Sequence, residues 1–181
     1  MANPICIYGN PVLRTKSERV ETVTDQIRAL ADRMLGIMYS AEGIGLAAEQ
    51  IGQTESVFVL DIPPHADQDE QGCPNNPVAK MPFVFINPEI IGSSEELTVV
   101  DEGCLSFPGL YVPVTRPAEV VVRFLDRNGS EQVLNAKGLL ARAIQHELDH
   151  LNGVLLFDHM TKTAKLRHAL LLRKFKKANK A

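Results

Sequence analysis

A chain of 181 residues is long enough for one domain with a sizeable core, and 45% hydrophobic with 23% charged residues is ordinary for a soluble globular protein. The formal charge of -3 excludes bulk attraction to nucleic acid, and no apolar run approaches the length of a bilayer span.

The stretch from Met1 to Cys6 lacks a basic segment followed by a long apolar one, so no secretory signal is expected. The three cysteines are an odd count without the spacing of a disulfide framework, which fits a reducing, cytoplasmic setting. Asn10-Pro11 opens an early turn. Thr24-Asp25 has the chemistry of a helix start. Ile27, Leu30, Met34, Leu35 and Met38 then recur at spacings of three and four, predicting a core-packed amphipathic helix over 25–41 that Gly43-Ile44-Gly45 ends. Ser56 to Asp61 is rich in β-formers and reads as a strand.

Residues 63–82 hold Pro63, Pro64, Pro74, Pro77, Pro82, Gly72 and an acidic patch, and read as a mobile loop in which Cys73 is an incidental exposed thiol. Short strands are expected at Phe83 to Asn87, Glu89 to Gly92 and Glu95 to Val100. Val120 to Leu125 is the strongest strand signal; Asp126-Arg127-Asn128-Gly129 supplies a hairpin turn and Gln132 to Leu134 the return strand. A helix follows, closed by Asn152-Gly153. Residues 162–178 read as a last helix with Leu166, Leu170 and Phe175 on its apolar face and Arg167, Arg173, Lys174, Lys176 and Lys177 making it basic. Its first reading is a packed helix with a solvated charged face; the alternative is an electrostatic dock for an anionic surface such as ribosomal RNA. Strands cluster in the middle, with helices at both ends and one late in the chain, which predicts an α+β single domain over 1–181.

The chemistry concentrates in Gln145-His146-Glu147-Leu148-Asp149-His150. Residues four apart share a helix face, so His146 and His150 can address one metal ion, and Glu147 can reach a water on it. Leu140, Ile144, Leu148 and Leu151 form an apolar stripe, so this helix is buried on one side and a histidine near it needs a partner. A catalytic metal site ordinarily has three protein ligands and one open position. Cys104, His65, His159, His168 and the carboxylates all remain candidates for the third. Gly43 to Gln50 lacks the spacing and the Lys-Ser/Thr of a phosphate loop; its small residues instead suit backbone pairing with an extended substrate.

Together, Gly43-Ile44-Gly45-Leu46-Ala47-Ala48-Glu49-Gln50, Glu102-Gly103-Cys104-Leu105-Ser106 and Gln145 to His150 resemble, in order, the three motifs of peptide deformylases. Gly9 to Arg14 resembles the family's N-terminal segment. The resemblance implies small β-sheets packed around a central metal-binding helix, and removal of the formyl group from N-formylmethionine on nascent peptides. It implies Cys104, His146 and His150 as metal ligands, and Glu147 as general acid/base. Gln50 and the Leu105 N–H are the implied donors to the formyl oxygen. Substrate contacts are implied at Gly43, Ile44, Gly45, Val100, Leu139 and Ala143. The implied cofactor is one divalent ion, commonly Fe(II), with Zn, Ni or Co accepted. The implied partners are nascent formyl-Met peptides; contact with the ribosome is the alternative reading of the basic C-terminal helix, taken from its charge, and no membrane and no specific DNA are expected. A brace between Glu102 and Arg116 behind the cysteine loop is also implied. The chain departs from common family residues at Glu49, Gly109, Tyr111 and Arg142, and its 63–82 loop is longer than in compact members. Those departures bear on peptide-side contacts and pocket shape, and none falls on an implied ligand.

A zinc endopeptidase shares His-Glu-x-x-His but takes His or carboxylate as third ligand, and a structural metal domain is usually closed by four ligands rich in Cys; neither fits a lone Cys104 as well.

Overall fold

The computed structural model describes residues 5–178. Helix α1 (Asp25–Ser40) starts where the Thr24 hydroxyl accepts the Ile27 N–H, and it buries Leu30, Ala31, Met34 and Met38. It ends before the glycines. Glu42 itself takes the left-handed turn (φ 55°), and the Glu42 and Gly43 amides close on the Tyr39 and Met38 carbonyls. Strand β1 (Gly45–Ala47), a 3-10 turn over Ala48–Ile51 and strand β2 (Val57–Leu60) follow.

Strand β3 (Phe83–Ser93) joins the two strands expected at 83–87 and 89–92. Asn87 turns left-handed (φ 51°) and the register shifts beside it, which bends the strand without ending it. β4 (Leu97–Gly103) begins after Glu95 and runs past Val100 into the cysteine motif. β5 (Tyr111–Pro117) pairs only with β4, so its free edge tolerates Pro113, which obscures the strand signal. β6 (Glu119–Leu125) and β7 (Glu131–Lys137) pair residue for residue, so the return strand is longer than expected. The helices α2 (Gly138–Leu151), α3 (Leu156–His159), α4 (Lys162–Arg167) and α5 (Ala169–Ala178) complete the described chain.

Five strands form one antiparallel sheet in the order β1-β2-β3-β6-β7, and β4 with β5 forms a separate ribbon. Period-two alternation places the sheet between two helices. Val57 and Val59 pack with Met34 and Met38 of α1; Phe58 and Leu60 pack with Leu140 and Ile144 of α2. Phe85 ties the second core together, its ring 4.6 Å from Phe58 and 4.2 Å from Phe124. A third cluster joins Leu13, Phe107, Val112 and Val114 to Leu155, Leu156 and Leu172.

Two expectations are corrected. The basic segment 162–178 is two helices broken at His168, not one. The break shifts the apolar stripe, leaving Leu166 and Leu170 exposed while Leu172 is buried and Leu171 and Phe175 pack beside it. The 63–82 segment is a tethered loop. Asn76 donates to Asp67 at 2.7 Å, and its amide exchanges hydrogen bonds with the backbone of Lys137 at the start of α2. Among the described residues no helix is long and apolar enough to cross a membrane.

Candidate active site

Helix α2 lies under the sheet with its polar face toward the β4–β5 ribbon. Four-residue spacing places His146 and His150 together, with ring centroids 5.2 Å apart. Cys104 emerges just after β4, and its Sγ lies 3.3 Å from His150 Nε2. Ligand atoms of Cys104, His146 and His150 all fall within 4.8 Å of one another. Of the candidates that the sequence left open, Cys104 is the one that meets the two histidines: among the described residues no other group of His, Cys and carboxylates converges in this way, and His159 is engaged with Asp149 at 2.8 Å. One sulfur and two imidazoles suit a borderline divalent ion, so the residues fit the cofactor that the motif implies. Burial holds the His150 pKa well below its ordinary value, which keeps that ring neutral. Burial also opposes charge on His146, but Cys104 and Glu102 outweigh it and hold its pKa well above the ordinary value.

Glu102 organises the back of the site. Its Oε1 accepts from Arg116 Nε and Arg142 Nη1, both at 2.7 Å; its Oε2 accepts from Arg116 Nη2 at 3.0 Å and sits 2.9 Å from His146 Nδ1. That fixes the His146 ring with its other nitrogen toward Cys104. Burial favours the neutral acid, yet His146 and Arg116 hold Glu102 well below the usual carboxylate range. Arg116 also pairs with Asp149 at 2.9 Å. The expected Glu102–Arg116 brace is thus present. The shares taken by Arg142 and Asp149 were not anticipated, although Arg142 stands four residues before His146 on the same helix face, a spacing that was legible.

A cavity of about 650 Å³ opens onto the cluster, and Gly43, Ile44, Gly45, Val100, Leu139 and Ala143 all line it. So do Gln50, Cys104, Leu105, His146 and Glu147. β1 is an edge strand of the large sheet and β4 belongs to the ribbon, so two strand edges flank the cleft. Gly45 has no room for a side chain: an added Cβ would strike the Glu147 carboxylate and lie 2.7 Å from Leu60 Cδ2. The Gln50 amide is oriented by the Ala47 N–H, which donates to its Oε1 at 2.8 Å. Its Nε2 then faces Cys104 Sγ at 3.6 Å and Ser106 Oγ at 3.2 Å. Ser106 belongs to the second motif, but its contact with Gln50 is not legible in the sequence, because nothing in its spacing announces a partner so distant in the chain. Among the described residues no backbone carbonyl takes the Leu105 N–H. Burial pushes the Glu147 carboxyl up to about 7 against the pull of His146, and its Oε2 is buried with no hydrogen-bond partner among the described residues.

The family description "Polypeptide deformylase" matches residues 2–166. The chain is 48% identical over 177 residues to the peptide deformylase of Rhizobium meliloti (strain 1021), covering 98% of this chain and 94% of that relative. It is 51% identical over 162 residues to the peptide deformylase of Thermosynechococcus vestitus, covering 90% of this chain and 80% of the other. The crystal structure of peptide deformylase from Ehrlichia chaffeensis superposes with a TM-score of 0.84 at 35% identity, covering 97% and 96% of the two chains. Arabidopsis thaliana peptide deformylase 1B superposes at 0.83 with 36% identity, covering 97% of this chain and 91% of that one. With a Cys/His/His cluster at the end of a cleft and such likeness along nearly its whole length, the chain belongs to the peptide deformylase family, enzymes that deformylate nascent peptides.

Proposed function

We propose that this chain removes the formyl group from N-terminal formylmethionine with one divalent ion held by Cys104, His146 and His150. The convergence of those three donors at the end of a cleft, beside the buried Glu147, carries the reading. When bound, such an ion lowers the pKa of a coordinated water and so makes hydroxide available near neutral pH. Glu147 accepts the proton of the attacking water and delivers it to the departing amine. Gln50 Nε2 and the Leu105 N–H donate to the formyl oxygen as negative charge builds there, a donor of this kind being worth about 3 kcal/mol. Gly43, Ile44 and Gly45 offer backbone to the extended peptide, and Val100, Leu139 and Ala143 form apolar wall around the methionine side chain. Fe(II) is the proposed cellular metal; the same donors accept Zn, Ni or Co. The residues act as one catalytic domain over 1–181, since the cavity draws its walls from Ile5, Gly43, Cys104 and Leu139 alike. Three free thiols favour a reducing, cytoplasmic setting.

Protein purified without oxygen, with its metal quantified, is expected to deformylate formyl-Met peptides. Glu147→Gln is expected to retain the metal and lose about 10²- to 10⁴-fold in kcat. Full turnover by that variant, or no turnover by the metal-loaded parent, overturns the reading.

A further inference from the structure

We infer that Arg142 is a positioning residue for the metal centre: it locks the β4–β5 ribbon onto α2 and so sets the reach of the Cys104 thiol to the two histidines. The inference rests on the metal-centre reading above. Arg142, His146 and His150 follow one another at four-residue spacing, so all three share one face of α2. The first of them holds no metal. Its guanidinium donates to Glu102 Oε1 at 2.7 Å and to the Val114 carbonyl at 3.0 Å through Nη1. Through Nη2 it donates to the Thr98 carbonyl at 3.0 Å and the Thr98 hydroxyl at 2.7 Å.

Those bonds span two strands. Thr98 and Glu102 lie on β4, and Val114 lies on β5. The ribbon shares no strand with the large sheet, so side chains must attach it to the helix beneath. Toward the ribbon, Gln145 bonds Pro117 and Asp149 bonds Arg116, both on β5, while His146 bonds Glu102 on β4. Among the described residues, Arg142 is the α2 side chain that bonds both strands. Cys104 follows β4 directly, so whatever clamps β4 to α2 also fixes the distance between thiol and imidazoles.

Glu102 makes the second link. Each of its oxygens meets two donor groups, and Arg142 supplies one on Oε1 while His146 supplies one on Oε2. The carboxylate is therefore gripped by two residues a helical turn apart. Without Arg142, Oε1 keeps only its Arg116 donor, and the carboxylate that orients the His146 ring is held from β5 and no longer from the preceding turn of α2. The guanidinium is buried, so water does not replace it freely. A methionine of similar length at 142 fills the space and makes none of these bonds.

The test loads the intact protein with Co(II) and follows the thiolate-to-cobalt absorption and the rate at which a chelator removes the ion. Arg142→Met is expected to release cobalt at least tenfold faster and to shift or weaken that band, within the 10- to 100-fold range typical of residues that orient metal ligands. Arg142→Lys is expected to restore part of the retention, because one ammonium can satisfy Glu102 but not both strands. Met34→Ala, a core change on α1 away from the ribbon, is expected to lower Tm while leaving release rate and spectrum unchanged. Should Arg142→Met fail to fold, Thr98→Val, which removes one acceptor, is expected to shift release in the same direction by a smaller factor. A folded Arg142→Met with parental spectrum and release rate overturns the inference, as does an unaltered Thr98→Val. A parent protein that takes up no cobalt instead sinks the metal-centre reading itself.

Discussion

Glu49 carries an ionisable group into the interior with nothing to receive it. The residue is fully buried, and neither carboxylate oxygen has a hydrogen-bond partner from another of the described residues. Burial pushes its pKa from 4.5 to about 8, its own backbone amide opposes the rise, and Glu147 and Glu55 add to it. A folded-state pKa above the unfolded value means a stability contribution that is complete below pH 4.5 and lost as pH rises toward 8, then level. The span amounts to a few kcal/mol, on the order of 1.4 kcal/mol for each unit that the pKa moves. Glu49→Leu, which removes the buried charge, is therefore expected to raise Tm, with a gain over the parent that grows between pH 5 and pH 8. Paired thermal melts across that range decide the matter; a gain independent of pH would defeat the account. The same neighbourhood shows why single positions are hard to read from sequence. Glu49 stood out as unlike its relatives, but its burial depends on elements that approach it from elsewhere in the chain.

At the scale of elements, α1, α2 and the strands at 57–60 and 119–125 were legible because their apolar residues repeat at 3.6 or 2 and their caps are local. Strand β5 was obscured by prolines that only an unpaired edge permits. The break at His168 was invisible because each half has helix chemistry and only packing decides which side faces inward. Strand β1 is short, yet it sets the floor of the cleft. Gly45 brings its backbone against Glu147 and Leu60 so closely that any side chain displaces the carboxylate. Gly45→Ala is expected to lower kcat/KM for formyl-Met peptides by about 100-fold, the usual effect of misplacing a reacting group by an ångström. A core defect alone would lower Tm with kcat/KM retained at permissive temperature, and that outcome would falsify the proposed contact.

Across the whole molecule, charge is unevenly spread. The chain is -3 overall, while segment 162–178 holds Lys162, Lys165, Arg167, Arg173, Lys174, Lys176 and Lys177 and no acidic residue. This supports the proposal that the C-terminal helices meet an anionic partner such as the ribosome. Arg173→Glu with Lys177→Glu is expected to reduce co-sedimentation with ribosomes at low salt while leaving deformylation of short peptides intact; equal binding by parent and variant, or parental binding indifferent to salt, removes the proposal. The three motifs, the helix that carries His146 and His150 and the α+β order of elements were determined by the chain's own pattern, since spacing along one helix and local turn chemistry need no distant partner. Only tertiary structure decided that Cys104 joins His146 and His150 in one cluster, that Gln50 points its amide nitrogen at Ser106, that Arg142 and Arg116 share Glu102, and that Glu49 is sealed from water. Each of these depends on segments far apart in sequence meeting in space, and side-chain type alone does not encode that distance.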